Sequence, residues 1–299
     1  MANSIQLIES CPCCESLDIQ SQPAVLSPFL ALRALGVAPF EIEEGMFDDL
    51  DPGTSYFPSR TIFCTSCRSV SSGTRLGQPA VQRYYDGYQG TDFLAQRMLV
   101  EPSFRKRMAN RKHKDILRRR RETISYTQVV EAYFGSLLPE IPTRMLDYGG
   151  GEGLNTPFAQ QTRVEIFDLD AQMSSSNIEG QRWPLISLLN VLEHAMEPVH
   201  MLAQAASMLE GSGSRVLIEV PLERFMADCM SSSAFWKAKL IWTEHVNCFS
   251  PLGLEQCLDR AGMELLAPVR VQAFSDDSTL GGEDYAIMLA VARLKHVPG

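Results

Sequence analysis

The sequence of 299 residues has no long apolar run and nothing typical of a secretion signal. No stretch of about 18 apolar residues occurs, so we expect no membrane-spanning helix. The first residues, MANSIQLIESCPCC, contain neither a basic segment nor a long apolar core, so no secretory signal is expected. These absences predict a cytoplasmic protein whose cysteines are reduced.

The glycine-rich stretch MLDYGGGEGLN (145–155) lacks the marks of two common nucleotide-binding loops. Leu154 and Thr156 stand where a dinucleotide fingerprint needs its third glycine, and no Lys-Ser/Thr pair follows as in a phosphate-binding loop. What the stretch does contain is an acidic residue followed by three alternating glycines: Asp147, Gly149, Gly151 and Gly153.

The negative charge of the chain is unevenly distributed. Residues 105–121 hold ten Lys and Arg and one acid, for a net charge of +9; since the whole chain is at −9, the rest carries −18. Such an acidic body is not expected to bind nucleic acid or anionic membranes. The basic stretch is interpreted as a solvated helix face, with a phosphate-binding patch for RNA or a nucleotide-linked substrate as the alternative.

Strand and helix patterns alternate from residue 143 onward. TRMLDYG, RVEIFDLD, WPLISLLNVL and SRVLIEVP predict strands, and MEPVHMLAQAASMLEGSG and SPLGLEQCLDRAGM predict helices between and after them. ELLAPVRVQAF and DYAIMLAVARL predict two last strands. This alternation predicts an α/β fold with a mostly parallel sheet and helices on both faces.

A second acid follows the predicted second strand at Asp168, 21 residues beyond Asp147. In such a sheet, ligands bind outside the carboxyl ends of the strands, and a carboxylate there can accept two hydrogen bonds from a ribose diol. Because the pyrophosphate-type glycine is absent, a nucleoside with an amino-acid tail fits better. S-adenosylmethionine is the predicted cofactor.

At these residues the chain resembles the class I S-adenosylmethionine-dependent methyltransferases. LDYGGGEG is similar to their first motif, VEIFDLD to their ribose-binding strand end, and LLNVLEHAMEPVHMLAQAASMLEGSGSRVLIEVP to their fourth strand, helix and fifth strand. The resemblance covers about 145–293. It implies a Rossmann-like seven-stranded sheet, possibly reduced by one edge strand because only 14 residues separate Asp170 from Leu185. It also implies a cofactor-binding set of Asp147, Gly149, Gly151, Gly153, Asp168, Leu169 and Asn190.

Two C-x-x-C pairs lie in the first 70 residues: Cys11 with Cys14, and Cys64 with Cys67. Two such pairs can surround one Zn²⁺ with four thiolates, which makes a closed, structural site. The 49 residues between the pairs exceed the usual gap, but the cost of loop closure grows only logarithmically. Cys13 is interpreted as a bystander that could replace a neighbour.

An N-terminal zinc module before such a methyltransferase resembles the sugar C-methyltransferases, in which the module helps to cover the substrate. Their additional C-terminal domain is expected to be absent here. We therefore predict a zinc-binding module at 1–78, a helical linker or lid at 79–142, and a cofactor-binding domain at 143–299.

Removing a proton from a hydroxyl or an enolisable carbon requires a base, and histidine suits that task. Of five histidines, His194 and His245 are the candidates, and each follows a glutamate. A similar Glu-His pair is associated with base catalysis in the sugar C-methyltransferases. By that resemblance His245 is the predicted base and Glu244 orients or assists it. Tyr84, Tyr85 and Tyr88 could close over the site or simply pack a helix.

The predicted function is methyl transfer from S-adenosylmethionine to a carbon or oxygen of a small molecule, such as a specialised metabolite or a sugar. Two alternatives stay open: modification of RNA through residues 105–121, and a non-catalytic, zinc-anchored interaction protein that keeps the fold.

Overall fold

A computed structural model of the protein describes residues 5–37, 57–109, 124–153, 155–169, 178, 180–229, 239–274 and 285–296. The first half contains small strands and helices: β1 (Ile5–Leu7), β2 (Ile19–Leu26), α1 (Pro28–Leu35), β3 (Phe57–Cys64), β4 (Val70–Ser72), β5 (Thr74–Leu76), α2 (Gln78–Tyr85), α3 (Thr91–Val100), α4 (Pro102–Ala109) and α5 (Ile124–Leu137). Residues 110–121, most of the basic stretch, lie outside the described residues.

The second half alternates strands with helices as the sequence predicts. Its elements are β6 (Arg144–Tyr148), β7 (Arg163–Phe167), β8 (Leu185–Leu189), a 3-10 turn (Leu192–His194), α6 (Pro198–Ser207), β9 (Arg215–Leu222), α7 (Arg224–Cys229), β10 (Ile241–Trp242), β11 (Asn247–Cys248), α8 (Pro251–Arg260), β12 (Met263–Leu265), β13 (Arg270–Phe274) and β14 (Tyr285–Leu294). None of the helices in this described part is long and apolar enough to cross a membrane.

The larger sheet has seven strands in the order β12–β14–β9–β8–β6–β7, with β13 also paired to β14. β6, β7, β8 and β9 are parallel to one another, and β14 runs antiparallel to β9, β12 and β13. The predicted α/β, mostly parallel fold is therefore confirmed. The described residues contain no strand between β7 and β8, so β7 forms the edge of this sheet.

The apolar strand β8 has helices on both faces, and its side chains alternate between two cores. Ile186 and Leu188 pack with buried residues of α6 and α8, while Leu185 and Leu189 pack with residues of α5. All five residues of β8 are buried, and four of them are Leu or Ile, as expected for a strand that is covered on both faces. Each such aliphatic side chain stabilises the fold by about 1.5–3 kcal/mol.

A second sheet of five strands joins residues from both halves of the chain. Its order is β10–β2–β3–β4–β11, so Ile241–Trp242 and Asn247–Cys248 form its two edges. Trp242 is fully buried in it, and its Nε1 donates a hydrogen bond to Thr61 Oγ1 at 2.8 Å. The segment that carries His245 is thereby fixed against the cysteine-bearing half, while the domain boundaries at 78 and 142 stay a prediction.

Candidate active site

The glycine loop follows β6 directly and has a backbone that side chains would disturb. Gly149, Gly151 and Gly153 have φ of +78°, +53° and +74°. A Cβ on Gly149 would lie 2.6 Å from Val191 Cγ2, whereas a Cβ on Gly151 would meet nothing within 4 Å. The loop thus exposes bare backbone at the end of β6, as a close-fitting ligand requires.

Asp147 lies beneath this loop. Its Oδ1 accepts a hydrogen bond from Ser187 Oγ at 2.7 Å, and its Oδ2 accepts one from Thr156 Oγ1. Burial raises the pKa of Asp147, although these two hydroxyls act in the opposite direction. Asp147 is not among the described residues that line the neighbouring cavity, so contact between its carboxylate and the cofactor stays a prediction.

A cavity of about 1120 Å³ opens at the carboxyl ends of β6, β7 and β8. Four of the predicted cofactor residues line it: Gly149, Asp168, Leu169 and Asn190. Asp168 Oδ2 accepts a hydrogen bond from the Gly151 amide at 3.0 Å, so the loop and the end of β7 are joined. Asn190 has φ of +54° and donates a hydrogen bond from Nδ2 to Glu219 Oε1 at 3.1 Å.

These features fit S-adenosylmethionine. The backbone of Gly149 lines the cavity without a side chain, and the Asp168 carboxylate lies at the end of the adjacent strand. Asp168 would hold the ribose diol, and the loop would lie along the rest of the nucleoside.

Aromatic residues of α2 and the turn after it form one wall of the cavity. Tyr85 and Tyr88 line it, and the rings of Tyr84, Tyr85 and Tyr88 contact one another. The Tyr85 hydroxyl lies 3.0 Å from His194 Nδ1. The tyrosines therefore pack against one another, and two of them line the cavity; closure over the cofactor or substrate stays a prediction.

The structure places Glu244 in an ion pair. Arg97 Nη1 lies 3.1 Å from its Oε1, and the Tyr84 hydroxyl donates a hydrogen bond to its Oε2 at 3.3 Å. Burial alone would raise the pKa of Glu244, but Arg97 outweighs it and the pKa is about 2. An ionised carboxylate held in this way fixes residues 244–245 against α2 and α3.

His194 and His245 lie in contact, with ring centroids 4.7 Å apart. His194 lines the cavity, and His245 Nδ1 lies 3.5 Å from Glu223 Oε1. Burial and the adjacent His245 lower the pKa of His194 to about 3, so this ring is neutral at neutral pH. Burial lowers the pKa of His245, but Glu223 and the neighbouring Glu193 and Glu244 outweigh it and raise the pKa above its ordinary value.

Glu193 is buried beside this pair and is 1% exposed. Both of its carboxylate oxygens are buried and accept no hydrogen bond from the described residues. Burial raises its pKa to about 7, with His245 acting in the opposite direction. One ligand atom each from Glu193, His194 and His245 lies within 4.8 Å of the others.

The four predicted zinc ligands do come together. The four sulfur atoms all lie within 4.8 Å of one another, in Cys11, Cys14, Cys64 and Cys67. Cys11 Sγ is 3.5 Å from Cys67 Sγ, and Cys14 Sγ is 3.5 Å from Cys64 Sγ. Four thiols at these distances fit a tetrahedral Zn²⁺ site. Cys13 is fully buried, but it is not part of the four-sulfur group. Zinc binding itself stays a prediction.

Sequence reasoning missed three residues of the site. Nothing in the sequence indicated Glu223 or Arg97, because Glu223 contacts His245 and Arg97 contacts Glu244 only in the folded chain. Glu193 was seen only as the neighbour of His194, and nothing in the sequence indicated that its carboxylate is buried without a hydrogen bond.

Comparison with known proteins gives one family match. Residues 103–267, more than half of the chain, match the model of a methyltransferase domain. No curated protein matches the chain.

Several solved methyltransferase structures are similar in part. Magnesium protoporphyrin IX methyltransferase from Synechocystis PCC 6803 with bound S-adenosylhomocysteine is 16% identical, covers 62% of this chain and 88% of its own, and has a TM-score of 0.41. A glycopeptide N-methyltransferase, MtfA, with bound S-adenosylmethionine is 11% identical, with coverages of 56% and 94% and a TM-score of 0.40. A putative methyltransferase from Bacillus halodurans C-125 is 14% identical, with 55% and 97% covered and a TM-score of 0.39. At these scores the likenesses carry no argument about substrate.

Proposed function

Because the chain belongs to the methyltransferase domain family and is an S-adenosylmethionine-dependent methyltransferase, we propose that it methylates an oxygen or carbon atom of a small molecule. One observation carries this proposal. The cavity that begins at Gly149, Asp168 and Asn190 continues to His194, whose ring contacts His245. The proposed cofactor residues and His194 thus line one cavity, and His245 lies directly against His194.

The cofactor supplies a methyl group on a positively charged sulfur, which needs no further activation. Methyl transfer forms a bond from the acceptor atom to the methyl carbon while the carbon–sulfur bond breaks and its electron pair stays on sulfur. The task of the protein is therefore to align the acceptor and to remove its proton.

We assign proton removal to the histidine pair, with His245 as the proton acceptor. Glu223 Oε1 faces His245 Nδ1, so a proton gained by the ring is stabilised by that carboxylate. Glu244 assists from a distance, because its carboxylate is held by Arg97 and Tyr84 and fixes the segment that carries His245.

The size and walls of the cavity support a small-molecule acceptor. Its volume of about 1120 Å³ is enclosed by the tyrosines of the α2 region on one side and by Gln6, Ile8 and Pro12 on another. We propose that residues 1–78 and 79–142 cover the substrate in this way. Pockets for small ligands and cofactors typically have mixed apolar and polar walls of this kind.

The test is methyl transfer from S-adenosylmethionine labelled in its methyl group, with a panel of phenols, sugars and keto acids and with total RNA in parallel. The proposal expects label in at least one small-molecule acceptor and none in RNA. Label that appears only in RNA, or an absence of S-adenosylhomocysteine binding by calorimetry, contradicts it.

A further inference from the structure

We propose that the protein binds a divalent transition-metal ion through Glu193, His194 and His245, at the edge of the proposed methyl-transfer site. This metal site is separate from the cysteine cluster. Its existence follows from the geometry of the three side chains, and only its catalytic role rests on the proposed function.

The Glu193 carboxylate lacks the hydrogen-bond partners that a buried charged group needs. Both oxygens are buried and accept no hydrogen bond from the described residues, and the nearest ring nitrogen, His194 Nε2, is 3.8 Å from Oε1. An ionised carboxylate that is buried without hydrogen bonds is strongly destabilising, so such groups in proteins are paired or coordinate metals. A cation between Glu193 and the two rings would remove that cost.

The possible ligand atoms of the three residues also lie close to one another. One ligand atom from each of the three residues lies within 4.8 Å of the other two. Since metal–nitrogen and metal–oxygen bonds are about 2.0–2.2 Å, ligand atoms on one ion lie roughly 3–4 Å apart. Small rotations of the side chains therefore bring all three atoms onto a single ion.

The two rings also have polar partners around them. The Tyr85 hydroxyl is 3.0 Å from His194 Nδ1, and Glu223 Oε1 is 3.5 Å from His245 Nδ1. In each ring the Nδ1 atom thus has a polar partner, and Nε2 is the atom that we propose to bind the ion. Metal-binding histidines are usually oriented in this way, through a hydrogen bond or ion pair at the second nitrogen.

The donor set indicates the class of metal. Two imidazoles and one carboxylate suit ions such as Mn²⁺, Fe²⁺, Co²⁺ or Zn²⁺ and leave coordination positions open. Four thiolates, as in the cysteine cluster, are instead soft ligands that select Zn²⁺ and close the site. The two clusters should therefore differ in metal preference and in access.

An open position next to the cavity gives the ion a role in the proposed reaction. Such an ion would make an acceptor hydroxyl bound beside it lose its proton more readily, with the electron pair of the O–H bond kept on oxygen and the proton passed to water. In the metal-loaded protein His245 is then a ligand, and it is the proton acceptor only when the ion is absent.

The test is titration with Mn²⁺ of the full chain loaded with one equivalent of Zn²⁺, which the four thiolates take up first, followed by electron paramagnetic resonance of free and bound Mn²⁺. Mn²⁺ is suited to this test because thiolate sites select Zn²⁺ over it. We expect one bound Mn²⁺ per wild-type chain, with coupling to imidazole nitrogen in pulsed spectra. Glu193→Gln and His245→Ala should each weaken binding by more than tenfold, and Glu193→Asp should retain part of it.

Glu255→Gln is the matched control, because it removes one exposed carboxylate from α8 and leaves the cluster untouched. Calorimetry with S-adenosylhomocysteine on every variant reports whether the fold is intact. If wild type takes up no Mn²⁺, or if Glu193→Gln binds it as tightly as wild type, the metal site is refuted. Mn²⁺ binding without any S-adenosylhomocysteine binding would instead refute the proposed function and leave the metal site standing.

Discussion

Two clusters of ligand-type side chains border the same cavity, and the chain assembles them differently. The four cysteines come from two local C-x-x-C pairs, and Cys11 lines the cavity. The second cluster takes Glu193 and His194 from the turn after β8 and His245 from the segment between β10 and β11, and His194 lines the cavity. We predict that the first is a closed, structural set and that the second is an open set at the site of the proposed chemistry.

The largest effect is expected from breaking the cysteine cluster. Cys64→Ser removes one of four sulfurs, and structural zinc contributes roughly 10–16 kcal/mol of apparent binding free energy to small zinc modules. The variant should lose zinc and unfold at a much lower temperature. Metal content and thermal unfolding measure this, with Cys13→Ala as the control that keeps its zinc. A Cys64→Ser chain with one tightly bound zinc and unchanged thermal stability would refute the structural role.

Breaking the second cluster should reduce the reaction rate rather than the stability. His245→Ala removes the proposed proton acceptor, and loss of such a group typically lowers kcat by about 10²–10⁴-fold. S-adenosylhomocysteine affinity should stay within a few-fold of wild type, since His245 does not line the cavity among the described residues. His296→Ala, an exposed histidine near the end of the chain, is the control. An unchanged kcat in His245→Ala would show that His245 does not act as the proton acceptor.

A smaller effect is expected at the nucleoside end of the cavity. Asp168→Ala removes the proposed partner of the ribose diol, and a hydrogen bond to a charged group contributes about 1.5–3 kcal/mol. S-adenosylhomocysteine should therefore bind roughly 10–100-fold more weakly, as calorimetry can measure. Glu255→Ala is the matched loss of a carboxylate elsewhere. Equal affinities for the two variants would show that Asp168 does not hold the nucleoside.

The smallest effect is expected in the glycine loop itself. Gly151→Ala places a side chain at φ +53° with no neighbour within 4 Å, so only backbone strain of about 1–2 kcal/mol is added. Gly149→Ala adds a Cβ 2.6 Å from Val191 Cγ2 and should destabilise the protein more. Denaturant unfolding of the two variants measures the difference. If Gly151→Ala is the less stable of the two, the close packing of Gly149 against Val191 and the open space at Gly151 are contradicted.

The sequence predicted the local features of the molecule and missed the non-local ones. Strands such as β8 and the two C-x-x-C pairs were visible because their residues are close in sequence and their periodicity or spacing is characteristic. The edges that Ile241–Trp242 and Asn247–Cys248 add to the second sheet were not, because two-residue strands have no periodicity.

The same reason applies to the site. Asp168 and Gly149 were found through spacing along one strand–loop–strand unit. The buried carboxylate of Glu193 and the contact of Glu223 with His245 depend on three segments that only the tertiary fold brings together. Ligand sets of that kind are invisible to a reading of spacing alone.

We propose that cofactor and acceptor share the cavity between the glycine loop and His194. A crystal structure of the full chain with S-adenosylhomocysteine tests this most directly. We expect the ribose hydroxyls on Asp168 and the sulfur facing the part of the cavity lined by Asn190 and His194. Density for the nucleoside anywhere else, or a sulfur turned away from His194, would contradict it.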